Sequence, residues 1–205
     1  MKILIVTGGI GSGKSLVCKM LNEIYGVPVY EADLRAKSLY SEIPQILEDI
    51  EEELSVSLRN ESGEFSRKKL ADIIFTDRSA LQKVEEILFP YLTGDFADWA
   101  ARQGKEVVAF ESATVLEKPQ FEGFGDIVLL VDAPLSLRVE RACLRDGGNE
   151  LAVMERINAQ PLMNRLSEGE TCDSVDHTLI NDGDLDKLSE KLRLFIEESG
   201  LTKML

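Results

Sequence analysis

A three-layer α/β fold, in which a parallel sheet carries helices on both faces, is predicted by three observations. Short, continuously apolar runs recur along the chain, as strands buried on both faces require. Helical patterns separate those runs, which is the arrangement of right-handed βαβ units. A glycine-rich turn joins the first run directly to a helix.

The elements follow in order. KILIV (2–6) is the first strand, TGGIGSGKS (7–15) the turn, and the next eleven or so residues read as a helix with Leu16, Cys18, Met20, Leu21 and Ile24 near its period and Gly26 as its stop. VPVYEAD, Val27 to Asp33, reads as a short strand ending in a carboxylate. From Leu34 to about Gly104 the text is almost wholly helical, with apolar residues at threes and fours in Ile43–Leu54, Lys69–Phe75 and Leu81–Leu88. Ser66 and Asp77 are cap candidates, and Pro90 is expected to break the last two segments apart. Strands return at Val107–Glu111 and Ile127–Asp132. A helix from about Leu137 to Arg145 follows, then a polar break at Asp146–Asn149 and a helix from about Glu150 to Ala159. Pro161–Asp176 reads as irregular, His177–Ile180 as a last short strand, and Leu185–Glu198 as a closing amphipathic helix.

Composition narrows the function classes. The chain has 205 residues, 44% hydrophobic and 29% charged, which suits one globular core with small additions. Thirty-seven acidic residues against 23 basic ones give a net charge of −14, so general binding to nucleic acid or anionic membranes is disfavoured. Three scattered cysteines (Cys18, Cys143, Cys172) and a single histidine, His177, build neither a disulfide scaffold nor a zinc cluster. The opening apolar run is too short for a membrane span, and a reduced, cytoplasmic compartment is expected.

Gly8-x-x-x-x-Gly13-Lys14-Ser15 is a complete phosphate-loop motif in the strand–turn–helix context it needs. By composition it arises by chance in roughly one chain in a hundred of this length. Its glycines let successive N–H groups point inward at phosphate oxygens, and the helix that follows adds its positive end. Lys14 is placed to reach the β- and γ-phosphates, and Ser15 Oγ to take one Mg²⁺ position. The motif defines a nucleoside-triphosphate site and no more.

A guanine-reading N-K-x-D run is absent, which counts against a GTP switch. A small-molecule kinase needs arginines over the phosphates. Between Pro119 and Asp186 there are five arginines and no lysine, and Arg138, Arg141 and Arg145 fall on one helical stripe. Beside a phosphate loop, Arg141 and Arg145 are expected to face phosphate, and Arg138 to lie on a solvated face near Glu140 and Asp146. Asp33, at the end of the second strand, reads either as a base for an attacking hydroxyl or as the cap of a helix opening at Leu34. Glu111 and Asp132 both end strands, and either could act through a metal's water shell. His177 and Trp99 read as structural, and Glu48–Glu53 as a solvated face.

Taken together, TGGIGSGKS and VPVYEAD resemble dephospho-coenzyme A kinases, whose members carry TGGIGSGKS/T and a V-x-D-A-D strand end. The G-x-x-x-R segment at Gly63–Arg67, the Phe75-x-Asp77 step, and VDAPLSLRVERACLRD, similar to the family's VDVPPELQLERLMKRD, extend the likeness. Asn181-Asp182-Gly183 matches the closing N-x-G. Departures are Phe89-Pro90 for His-Pro, Glu111 to Glu117 for D-x-P-L-L-x-E, and Leu179 to Gly183 for V-I-D-N-x-G.

The resemblance implies ATP and Mg²⁺ as cofactors and dephospho-CoA as phosphoryl acceptor at its ribose 3′-hydroxyl. Gly9, Ile10, Gly11, Ser12, Gly13, Lys14, Ser15 and Leu16 would hold ATP, with Ser15 and Glu111 toward the metal. Asp33 would be the base, Arg141 would stabilise the transferring group, Arg145 would assist at ATP, and Asn181 would contact the adenine side. The implied organisation is a core of about 1–33, 105–145 and 177–205, a helical acceptor-binding insertion at about 34–104, and a lid at about 146–166. Small-molecule substrates only, no nucleic acid or membrane partner, and a monomer or weak homo-oligomer are expected. A nucleoside or nucleotide kinase and a non-catalytic nucleotide-binding regulator stand as alternatives.

Overall fold

The computed structural model describes residues 1–201, so the last four positions of the expected core, 202–205, lie outside the described residues. Five strands, β1 (Lys2–Thr7), β2 (Val29–Glu31), β3 (Val107–Glu111), β4 (Ile127–Asp132) and β5 (His177–Ile180), form one parallel sheet in the order β2-β3-β1-β4-β5. Helices α1 (Lys14–Tyr25) and α9 (Leu185–Glu198) contribute to its covering layers, and α6 (Leu135–Asp146), α7 (Glu150–Asn158) and α8 (Pro161–Ser167) lie between β4 and β5 in sequence.

The period of two along each strand decides which layer each residue joins. Leu4 and Val6, Val107 and Ala109, and Ile127, Leu129 and Val131 all pack with Val17 and Leu21 of α1 and Leu188, Leu192 and Phe195 of α9. The alternate residues supply the other face. There Phe110 stacks on Tyr30 at 5.6 Å and meets Phe121 and Phe124 at 5.4 and 5.0 Å. Burial of these apolar side chains, at about 25 cal/mol per Å², holds the sheet and its helices together.

The described residues divide into two compact units, 1–31 with 103–201 and 32–102. The second unit contains α2 (Ala32–Glu42), α3 (Pro44–Leu54), α4 (Arg67–Ile74) and nearly all of α5 (Arg78–Gln103). Its apolar interior includes Leu39, Ile46, Ile50, Leu58 and Phe96. Arg35 bonds both Asp95 and Glu42, which drives its proton affinity further up through those hydrogen bonds. Ser66 caps α4 by accepting from Lys69 N, and Asp77 accepts from Ser79 N and Ala80 N at the start of α5.

Three expectations about local structure are corrected. Pro90 does not divide two helices, because α5 runs through it. Ala80, Val84, Leu92, Phe96 and Ala100 continue one buried face on both sides of the proline, and that packing outweighs one lost backbone bond. The stretch after Pro161 is not wholly irregular. Pro161 at the first helical position opens α8, which buries Met163. Asp33 neither closes β2 nor caps a helix at Leu34. The strand ends at Glu31 and α2 begins at Ala32, so Asp33 sits in the first helical turn, where the helix dipole favours its charge.

Candidate active site

The phosphate loop spans Gly8 to Gly13 between the central strand β1 and α1. Two of its glycines are dictated by geometry. Gly11 has φ 77° and a Cβ there would lie 2.1 Å from Arg138 O; Gly13 has φ 101° and its Cβ would lie 2.2 Å from Asn181 Nδ2. Any side chain at either position would push the loop off its support. The loop leads directly into the N-terminus of α1, where the first N–H groups of a helix have no helical partner of their own.

Lys14 and Ser15 open α1. Lys14 Nζ lies 3.6 Å from Glu111 Oε1, with both side chains largely shielded from water at 12% and 13% exposure. Ser15, Glu31 and Glu111 line one cavity of about 250 Å³ with Cys18, Lys19, Asn22 and Val29. Glu31 and Glu111 are register partners on β2 and β3, so one sheet edge presents two carboxylates side by side. A hydroxyl and two carboxylates are hard oxygen donors, the set that suits Mg²⁺. Burial, with the Glu111 charge adding to it, pushes the Cys18 thiol up to about 12.

Behind the loop stands a polar scaffold. Asn181, 4% exposed, donates from Nδ2 to Ser12 O at 2.9 Å and receives Arg141 Nη1 on its own carbonyl at 3.1 Å. Ile10 is held through both of its backbone groups: its N–H donates to Gln160 Oε1 at 2.9 Å, and its carbonyl accepts Arg138 Nε at 3.0 Å. Arg138 is therefore not on a solvated face. It is 1% exposed, and burial lowers its proton affinity. Its helix turns that position toward the loop rather than outward.

The structure brings Gly9 to Ser15, Asn181 and Arg141 into one constellation, with Glu111 joined to it through Lys14. Arg145 is paired elsewhere. It and Arg156 both bond Asp146, which holds that carboxyl far below its ordinary range. Leu16 is partly exposed on α1, and Asp33 belongs to the second unit, two residues past β2. Asp132 bonds the Ser167 hydroxyl and sits 4.0 Å from Arg138, so of the two strand-end acids it is Glu111 that shares a cavity with Ser15. His177 packs edge-on against Phe195 and Trp99 stacks on Phe96, both in structural roles. Sequence reasoning missed Glu31 and Gln160. The partnership of Glu31 with Glu111 requires the strand order, and a lone glutamine between two helices carries no local signal.

A glycine loop at the carboxyl edge of a parallel sheet, with lysine and serine opening the helix and an arginine-bearing helix braced beside it, defines a nucleoside-triphosphate-binding protein of the P-loop class. A family profile described as dephospho-CoA kinase matches residues 2–187. A Porphyromonas gingivalis protein named dephospho-CoA kinase is 35% identical over 176 residues, 86% of this chain and 84% of that one. A solved Thermus thermophilus protein superposes with a TM-score of 0.79 at 28% identity, covering 96% of this chain and 97% of the other. A solved dephospho-CoA kinase from Campylobacter jejuni shares the fold, with a TM-score of 0.63 at 21% identity over 98% of each chain. The chain belongs to the dephospho-CoA kinase family.

Proposed function

We infer that this chain moves the γ-phosphoryl group of ATP to the ribose 3′-hydroxyl of dephospho-CoA, with its residues dividing the work as follows. The Gly9–Gly13 loop and the α1 N-terminus bind the phosphates, through amides other than that of Ile10, which Gln160 holds. Lys14 exchanges its Glu111 partner for the β- and γ-phosphates. Ser15 and Glu111 would hold Mg²⁺, which when bound neutralises phosphate charge. Asp33 takes the proton of the attacking hydroxyl. Arg141 presents its guanidinium fork to the transferring group, held in place by the Asn181 carbonyl. Asn181, whose Nδ2 supports the loop at Ser12 O, would contact the adenine side. Arg145 assists at ATP by leaving Asp146.

The 34–104 segment would bind the acceptor, and the 146–166 segment would act as a lid that keeps water from competing as acceptor. The enzyme would act in the cytoplasm on small molecules alone, as a monomer or weak homo-oligomer. Among the described residues no helix is long and apolar enough to cross a membrane.

The observation that carries this reading is the loop itself, in a chain of this family: Gly8 to Ser15 closes at the central strand with Lys14 and Ser15 beside the Glu31–Glu111 pair. The test incubates the protein with Mg-ATP and either dephospho-CoA or a panel of nucleosides and monophosphates. CoA formation is the expected result. Turnover confined to the panel would refute the acceptor.

A further inference from the structure

Arg138 heads the largest side chains that the fold buries completely, and every direction of its guanidinium bears on one part of the molecule. Nε donates to Ile10 O at 3.0 Å. Nη1 donates to Ser167 Oγ at 3.1 Å, at the end of α8, and that hydroxyl donates on to Asp132 Oδ1 at 2.8 Å. Nη2 has no hydrogen-bond partner among the described residues and lies against Gly9, where a Cβ would come within 2.3 Å of it. The backbone of the same residue occupies the space beside Gly11.

A cation held in this way is expensive. Its nearest carboxylate is 4.0 Å away, one donor is unmade, and a neutral side chain of similar volume would fill the space at lower cost. Packing alone does not account for a charge there. What a planar, charged fork supplies is a rigid junction between the Gly9–Gly11 turn and the end of α8, with positive potential on the outer wall of a loop whose inner wall receives phosphate. Gln160, between α7 and α8, accepts from the N–H of the same residue, Ile10, at 2.9 Å. The α7–α8 segment is therefore fastened to the phosphate loop at two points, one of them through Arg138.

We propose that Arg138 is a positioning residue for ATP, setting the Gly9–Gly11 turn and locking the end of α8 to it, so that triphosphate binding and placement of the lid segment form one equilibrium. The proposal rests on the kinase reading above. A group that ties two elements this way lets the ligand of one report on the other.

The test uses the full chain with Arg138→Gln, which keeps a planar donor without the charge or the fork, and Ser167→Ala, which removes one arm at an exposed position. Steady-state KM for ATP, kcat with dephospho-CoA, and ATP hydrolysis without acceptor are measured for each. Arg138→Gln is expected to raise KM for ATP at least about tenfold, and Ser167→Ala to raise the ratio of hydrolysis to transfer about fivefold. A packing role would lower the melting temperature and the active fraction while leaving KM and that ratio native in the protein that survives, and this result overturns the proposal. If Arg138→Gln does not fold, the Ser167→Ala ratio decides by itself. A wild-type protein, measured alongside, that ignores dephospho-CoA would overturn the acceptor assignment instead.

Discussion

Replacing Asn181 by alanine removes the donor that Ser12 O receives at 2.9 Å and leaves that carbonyl unmatched in a fully buried residue. Leaving one buried acceptor without a partner costs about 1–3 kcal/mol. At the size of this chain each kcal/mol moves the melting temperature by about 2–4 °C, so a fall of roughly 2–12 °C is expected. The Arg141 bond to the Asn181 carbonyl survives the change, because it is made to the main chain, and only the longer 3.5 Å contact to Oδ1 is lost. KM for ATP should therefore rise more than kcat falls. Asn181→Asp sharpens the test, since it keeps the shape but turns an acceptor toward Ser12 O, and should do at least as much harm. The assay is thermal unfolding with and without ATP, followed by steady-state kinetics. A native melting temperature together with a native KM for ATP in Asn181→Ala would refute the idea that this amide braces the loop.

Three further outcomes are expected. Asp33→Asn should reduce turnover by roughly 10²-fold or more while ATP affinity, read by equilibrium binding, stays native; a near-normal rate would leave Asp33 with only its place in the first turn of α2. Arg141→Lys keeps a charge but loses the fork, and kcat should drop about 10²-fold; full activity would make its bond to Asn181 purely architectural. Iodoacetamide at pH 8 should alkylate the partly exposed Cys143 or Cys172 and spare Cys18, whose thiol is buried and pushed up to about 12. Peptide mass spectrometry reads this, and early labelling of Cys18 would contradict it.

Much of the fold was legible because its causes are local. Continuous apolar runs placed β3 and β4 at their observed bounds and β1 to within one residue, and the 3.6-residue period placed α9. The loop was legible too, since positive φ at Gly11 and Gly13 and the lysine and serine that follow are written within eight consecutive residues. Asp33 and Pro90 were misplaced because strand ends and helix breaks are settled by what the neighbouring residues bury, which propensity does not record.

What the chain could not announce was the support behind the loop. Arg138 reaches Ile10 across 128 positions and Gln160 reaches it across 150. The stripe of arginines on α6 was visible, but not which of them would turn inward, because an arginine's default is the surface and only the packing of α6 on the loop reverses it. In the same way Glu31 and Glu111 became neighbours only when β2 and β3 were set side by side. Backbone conformation and burial period are properties of short segments and can be read from them. Which polar groups lose water together depends on which segments meet, and that was decided by the assembled sheet and helices.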